Sequence, residues 1–237
     1  MKAAILCEFA SIRNTLIQMV VIYLIVGVVV GVSIQSSIAL VACIAAMTPF
    51  LAVFSLAAYD DANGWERYRA CLPISRGAIV AGRYAAVLAI TAFMALLAVA
   101  VALALANAAP YLPIPAEAAA SLASESDPLL LVASAASGAC IILAATAVML
   151  PFIMRYGITK ATRIVPVIGF LLVVVAVPAL GDVLAGTVQT PWMADLIAFA
   201  SDDANLPPIV AAAVAAALAL YAISCAAAMR LYRGKEL

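Results

Sequence analysis

The chain has 237 residues, 68% of them hydrophobic and 10% charged, with a mean hydropathy of +1.22 and a formal net charge of zero. A soluble domain carries about a quarter charged residues, so this composition excludes a fold that faces water on all sides. The absence of histidine removes the usual general base, proton shuttle and imidazole metal ligand. We expect one membrane domain over residues 1–237, with room for roughly five to seven spans.

Metal, disulfide and nucleotide chemistry are not expected in this chain. Its five cysteines form no CxxC pair, which is typical of isolated, reduced thiols. No GxxxxGK[ST] loop is present to cradle a nucleotide, so we predict no catalytic residue, no metal site and no bound cofactor. The formal charge of zero gives no reason to expect a nucleic-acid partner.

The first 15 residues have the pattern of an amphipathic helix. Ile5, Phe9 and Ile12 share one helical face, and polar residues such as Glu8 and Arg13 are interspersed among them. This pattern predicts an N-terminal interfacial helix that lies on the membrane before the first span.

Six apolar segments predict an all-α, polytopic membrane protein. Gln35 to Ser37 provide a tight connection after the first span. None of the six segments contains Asp, Glu, Lys, Arg or His, whereas ion-coupled carriers place such acids or bases near the middle of the membrane. A secondary carrier is therefore disfavoured. The expected spans cover residues 16–34, 38–58, 84–106, 129–154, 164–180 and 209–229.

The basic residues give these spans a direction. All twelve lysines and arginines fall on the side of the membrane that holds the N-terminus, and the opposite loops have none. Under the positive-inside rule, this distribution predicts that both termini are cytoplasmic.

Gly27 and Gly31 form a GxxxG pattern in the first predicted span. Such a pattern lets two helix backbones approach closely. The spacing alone leaves two alternatives open, packing within one subunit and contact with a second copy of the chain.

The cytoplasmic segment 59–83 is too polar to be a simple turn between spans. Acidic residues and Asn63 can cap a short helix that presents Trp65 and Tyr68 on one face, and Pro73 ends it. Ser75 is predicted to cap the following helix. Aromatic residues beside arginines are typical of a protein docking site, but also of a passive anchor at the membrane interface. Composition alone favours the anchor.

The order of residues in this segment resembles the small six-span permeases of the ABC-2 type, which are the membrane subunits of bacterial ABC exporters. Asp61 departs from that pattern, in which glutamate is commoner. The closing residues 224–237 resemble the end of these permeases more weakly. The matching residues are Tyr59-Asp60-Asp61, Asn63-Gly64-Trp65, Tyr68, Leu72-Pro73-Ile74-Ser75-Arg76 and Tyr84.

The resemblance implies a coupling helix between spans 2 and 3 that docks on a separate ABC ATPase. The implied docking residues are Asp60, Asp61, Asn63, Gly64, Trp65, Tyr68, Leu72, Pro73, Ser75 and Arg76. It also implies an outer interfacial helix with Trp192, Met193, Leu196, Ile197 and Phe199. Because related permeases pair through their first and fifth spans, it favours the dimer alternative for Gly27 and Gly31.

The implied assembly has two ATPase subunits, which bind ATP and Mg²⁺, and a second permease of the same or a related chain. It would reside in the bacterial cytoplasmic membrane and export a hydrophobic or amphipathic cargo, such as an antimicrobial peptide or a lipid-like compound. Two other functions remain open: a non-transporting scaffold or sensor that holds a soluble protein through the 59–83 segment, and, with less support, a secondary carrier.

Overall fold

The computed structural model describes residues 2–62, 75–111, 115–157 and 205–233. Nearly all of these residues are helical, and no strand occurs among them, which confirms the predicted all-α class for this part of the chain. The elements are α1 (Lys2–Ile34), α2 (Ser37–Ala62), α3 (Arg76–Ala108), a 3₁₀ turn (Ala109–Tyr111), α4 (Ala116–Ser124), α5 (Pro128–Tyr156) and α6 (Leu206–Arg233).

Five of the described helices, α1, α2, α3, α5 and α6, are long and apolar enough to cross a membrane. They correspond to the first four predicted spans and the last one. The fifth predicted span, residues 164–180, lies outside the described residues, as does the predicted outer interfacial helix. The multi-pass helical architecture is therefore confirmed, and the sixth span stays a prediction.

The N-terminal segment does not form the separate interfacial helix that its pattern predicted. It continues into the first span as a single helix, α1, because no proline or glycine interrupts the chain before Gly27. Ile12 and Glu8 are each only 2% exposed, so this segment packs into the bundle instead of lying flat. With 33 residues, α1 is about 50 Å long and exceeds the roughly 30 Å hydrocarbon core.

We call the end of the bundle at which α1 begins the base. Met154, near the end of α5, contacts Arg83, near the start of α3. Ser224, near the end of α6, lies 2.8 Å from Tyr84. Both α5 and α6 therefore end at the base and run parallel to each other, as α2 and α5 also do.

Helices α2 and α3 form the centre of the bundle. Helix α2 contacts α1, α3 and α5, and α3 contacts each of the other four long helices. Half of the residues in the most apolar stretch of α2 are buried, compared with 11% in α1 and 11% in α6. Helices α1 and α6 are therefore peripheral among the described helices. Residues without exposed area, such as Leu40, Ile44 and Met94, fill the core. The peripheral helices present large apolar side chains such as Ile25 and Ile223 outward.

The connection between α1 and α2 is the tight one predicted for residues 35–37. Gln35 has a φ of 59°, in the left-handed region, and reverses the chain directly after α1. Ser36 Oγ and the Ser37 backbone N–H both donate to Glu125 Oε2, at 2.7 and 3.0 Å. This carboxylate therefore satisfies an N-terminal donor of α2 and holds the end of α4 against it.

Gly27 and Gly31 lie against α2 of the same chain. A methyl group on Gly27 would overlap the side chain of Ile44, and one on Gly31 would overlap Leu40. The GxxxG face of α1 is therefore occupied within the subunit. Because α2 of the same chain packs closely against Gly27 and Gly31, these glycines are not available for the predicted contact with a second copy.

We expect Gly31→Ala to lower the melting temperature of the purified protein in detergent. The added methyl group overpacks the contact with Leu40, an effect that costs about 1–3 kcal/mol in a packed core. Gly138→Ala is the matched control, since its methyl group would lie 3.6 Å from Ala45 and alanine is the better helix former. Equal melting temperatures for the two variants would contradict this packing.

Candidate functional site at the base of the bundle

A buried arginine joins three helices at the base. Arg83 Nη1 lies 2.7 Å from Asp60 Oδ2 on α2, and Arg83 Nη2 lies 2.9 Å from Glu8 Oε2 on α1. Arg83 Nε also donates to Glu8 Oε2, at 3.3 Å. On its remaining side, Arg83 Nη1 approaches the sulfur of Met154 on α5, at 3.8 Å. The planar guanidinium thus uses its rigid array of donors to reach α1, α2 and α5 together.

The charged atoms of this cluster are almost completely withdrawn from solvent. The side chains of Arg83, Glu8 and Asp60 are 2%, 3% and 11% exposed. Removing ions from water is unfavourable, and only close, well-oriented partners offset that cost. Each of the three groups therefore depends on the others to stay in place.

The predicted spans contain no charged residue, but charged residues lie beyond their ends at the base. The helices extend further than the predicted spans, and their candidate membrane segments include Glu8, Asp60 and Arg83. Arg83 lies only about 10 Å along α3 from its first residue, so the cluster is near one end of the bundle.

The Asp60–Arg83 ion pair links α2 to α3 and so brings together the two ends of the polar segment 59–83. Asp60 lies in the last turn of α2, whereas the sequence suggests it as a candidate N-cap for a short helix that follows. A carboxylate is unfavourable at the C-terminal end of a helix, and the Arg83 guanidinium compensates for it. Tyr59, one residue earlier, approaches Thr15 of α1 with 3.2 Å between the hydroxyl oxygens.

The structure describes four of the residues predicted to dock a partner. Asp60 and Asp61 belong to the last turn of α2, and Arg76 is an exposed residue at the start of α3. The predicted cap is confirmed, because Ser75 Oγ accepts a hydrogen bond from the Ala78 N–H at 3.3 Å. The other predicted docking residues lie outside the described residues: Asn63, Gly64, Trp65, Tyr68, Leu72 and Pro73.

The residue after Arg83 makes a second set of buried polar contacts. Tyr84 lies 2.8 Å from Ser224 of α6, between the two hydroxyl oxygens, and Ser224 in turn donates to the carbonyl of Ala147 on α5. Since the proton of Ser224 is used there, the Tyr84 hydroxyl is the donor to Ser224. Tyr221 of α6 donates to the backbone carbonyl of Tyr84, at 2.9 Å. Tyr84 therefore connects α3 to both α5 and α6.

These ion pairs and hydrogen bonds are suited to holding helices together. Within the described ranges, no group of three or more His, Cys, Asp or Glu side chains is placed to hold a metal ion. The charged cluster is buried among helices and is directly joined to the polar segment at the base. Such an arrangement can pass a displacement of that segment to the bundle.

Comparison with known proteins agrees with the multi-pass membrane architecture. A family profile described as an ABC-2 family transporter protein matches residues 5–233. The chain therefore belongs to the ABC-2 transporter family and is a permease component of an ABC transporter, a membership that implies association with an ABC ATPase. No curated protein and no solved structure matched the chain.

Sequence reasoning missed the charged cluster because it placed its three residues in different segments. Asp60 and Arg83 were assigned to the polar segment 59–83, and Glu8 to a separate interfacial helix. One signal was available in the N-terminal segment. Glu8 stands four residues before Ile12, on the same helical face, and that face is the one that becomes buried. A single acid on an otherwise apolar helical face predicts a buried basic partner.

We expect Arg83→Met to destabilise the protein strongly. It fits the space of the side chain but leaves two buried carboxylates without their guanidinium, and removing one member of a buried ion pair costs about 3–5 kcal/mol. The measurement is the melting temperature in detergent. Arg13→Gln is the control, because Arg13 is an exposed arginine on α1. If the two variants have the same melting temperature, the cluster does not stabilise the bundle.

Proposed function

We propose that the chain is the membrane-spanning subunit of an ATP-driven exporter that moves a hydrophobic or amphipathic compound out of the cell. A separate ATPase, present in two copies, supplies the energy, and a second permease completes the assembly. The segment between α2 and α3 is the docking element for the ATPase, as family membership suggests.

The observation that carries this proposal is the ion pair between Asp60 and Arg83. It joins the last turn of α2, which precedes the docking segment, to α3, which follows it, at 2.7 Å, and Arg83 is at the same time bonded to α1. A displacement of the docking element that pulls on either helix is therefore passed to α1, α2 and α3 together. A passive interfacial anchor needs no such connection to the bundle.

The distribution of charge supports cytoplasmic placement of the base. Among the described residues, arginines occur at the base ends of the helices, as in Arg76 at the start of α3 and Arg155 in the last turn of α5. Acidic residues such as Glu125 and Asp127 lie at the opposite end, between α4 and α5. This arrangement follows the positive-inside rule.

The directions of the helices support six spans. Since α5 and α6 both end at the base, an odd number of crossings is needed between them. One span in the interval 158–204 satisfies this requirement, and the sequence predicts one at residues 164–180. A six-span subunit then has both termini on the cytoplasmic side.

The apolar surface supports a hydrophobic cargo. An open groove of about 270 Å³ lies between α1 and α3, lined by residues such as Phe9, Leu16 and Phe93. It has no charged lining residue, so a sugar or an ion would find no compensation there for its lost hydration.

The position of the ionisable residues argues against the secondary carrier. Relay groups of carriers lie near the middle of the membrane, whereas Glu8, Asp60 and Arg83 lie near one end of their helices. They are also paired with each other. This cluster is suited to fastening helices and not to passing a proton across the membrane.

The docking proposal is tested by the two tryptophans of the chain. We expect Trp65→Ala to abolish co-purification with the partner ABC ATPase, because the docking face loses its largest aromatic residue. Trp192→Ala is the matched control, since Trp192 is predicted to lie on the other side of the membrane. The ratio of ATPase to permease after affinity purification is measured for both.

Loss of the ATPase with Trp65→Ala and its retention with Trp192→Ala supports the proposal. Retention with both variants would leave Trp65 as an interfacial anchor. A wild-type complex that forms but moves no labelled amphipathic compound with ATP, across a panel of dyes and peptides, would favour the scaffold. Flux driven by an ion gradient without the ATPase would favour the carrier.

A further inference from the structure

We infer that two consecutive residues, Arg83 and Tyr84, are the positioning residues that divide the movement of the docking segment between the two sides of the bundle. Arg83 serves α1 and α2, and Tyr84 serves α6. Both reach α5, Arg83 through Met154 and Tyr84 through Ser224. This inference rests on the proposed function and adds to it a specific route from the base to the opposite end.

The first arm of this junction is ionic. Arg83 bonds to Glu8 of α1 through two nitrogens and to Asp60 of α2 through Nη1. A shift of the start of α3 therefore has to move α1 and α2 with it, or separate charges that are almost fully buried. Separation is unfavourable because the unpaired ions would remain buried away from water.

The second arm is made of neutral hydrogen bonds. The Tyr84 hydroxyl reaches Ser224 of α6, and Ser224 donates to the carbonyl of Ala147 on α5. The Tyr84 carbonyl accepts the hydroxyl of Tyr221. The rings of Tyr84 and Tyr221 are also packed together, with 4.9 Å between their centroids. Both the side chain and the backbone of Tyr84 are thus held by α6.

The two arms leave α3 in different directions from adjacent positions. Successive residues of a helix are rotated by about 100°, so Arg83 and Tyr84 face different neighbours. Together they contact each of the other four long helices that the structure describes: α1, α2, α5 and α6. Helix α3 contacts all four of the other long helices that the structure describes, which makes its start a place where one input can reach the whole bundle.

The arms can be tested separately by distances at the opposite end of the bundle. Nitroxide-bearing amino acids are introduced at Tyr111, which follows α3 and is 90% exposed, and at Ile34, at the end of α1 and 62% exposed. A second pair joins Tyr111 to Ala211, an exposed residue near the start of α6. Pulsed electron paramagnetic resonance measures each distance in the permease–ATPase complex, before and after trapping with ATP and vanadate.

We expect both distances to change on trapping in the wild-type complex. Arg83→Lys keeps the charge but loses the planar array of donors, and should reduce the change between Ile34 and Tyr111 by at least half. Tyr84→Phe keeps the ring but loses the bond to Ser224, and should reduce the change between Ala211 and Tyr111 by at least half. If Arg83→Lys does not yield a folded complex, Glu8→Gln tests the same arm.

Thr91→Val is the control within α3. Thr91 is buried like Tyr84, but its hydroxyl bonds only to the Val87 carbonyl of its own helix. Both distance changes should stay at the wild-type values in this variant. A purely structural effect of losing a buried hydroxyl would reduce them as much as Tyr84→Phe does, and that result would overturn the inference.

The inference is also overturned if the Ile34–Tyr111 distance changes fully in Arg83→Lys, or if the Ala211–Tyr111 distance changes fully in Tyr84→Phe. It is overturned as well if neither distance changes on trapping in the wild-type complex. These results leave the docking proposal standing, because the ATPase still co-purifies. Failure of the wild-type permease to retain the ATPase is a different result and removes the proposed function itself.

Discussion

The bundle depends on the withdrawal of one guanidinium and two carboxylates from water at its base. Arg83 is 2% exposed, and the cost of burying its charge is offset by Glu8 and Asp60, which lie within ion-pair distance. This requirement fixes the positions of α1, α2 and α3 relative to one another. The apolar contacts above the base are numerous but less directional, so they would tolerate small rotations that the ion pairs do not.

Much of the helical architecture could be predicted from the sequence because hydrophobic runs and turn residues are local signals. The tight connection at residues 35–37 and the Ser75 cap follow from such signals, and both are confirmed. The short helix α4 was missed, although its alanine-rich segment after Pro115 is a strong helix former. The continuity of α1 was missed because polar residues in its first turns have the same pattern whether they face the membrane surface or a buried partner.

The site was less predictable, since it is assembled from residues far apart in the chain. The sequence identified Asp60 and Tyr84 through a motif, but it could not show that they are bonded to helices distant in sequence. Gly27 and Gly31 illustrate the same limit. Their spacing indicates close helix contact, and only the positions of Ile44 and Leu40 decide that the contacting helix belongs to the same chain.

The single helix from Lys2 to Ile34 has a consequence for biosynthesis. Glu8 leaves the ribosome 75 residues before its partner Arg83, which corresponds to roughly 4 to 15 s at about 5–20 residues per second. During that interval the first helix has an acid without its guanidinium. The ion pair between the first helix and Arg83 can therefore form only after this part of α3 has been synthesised.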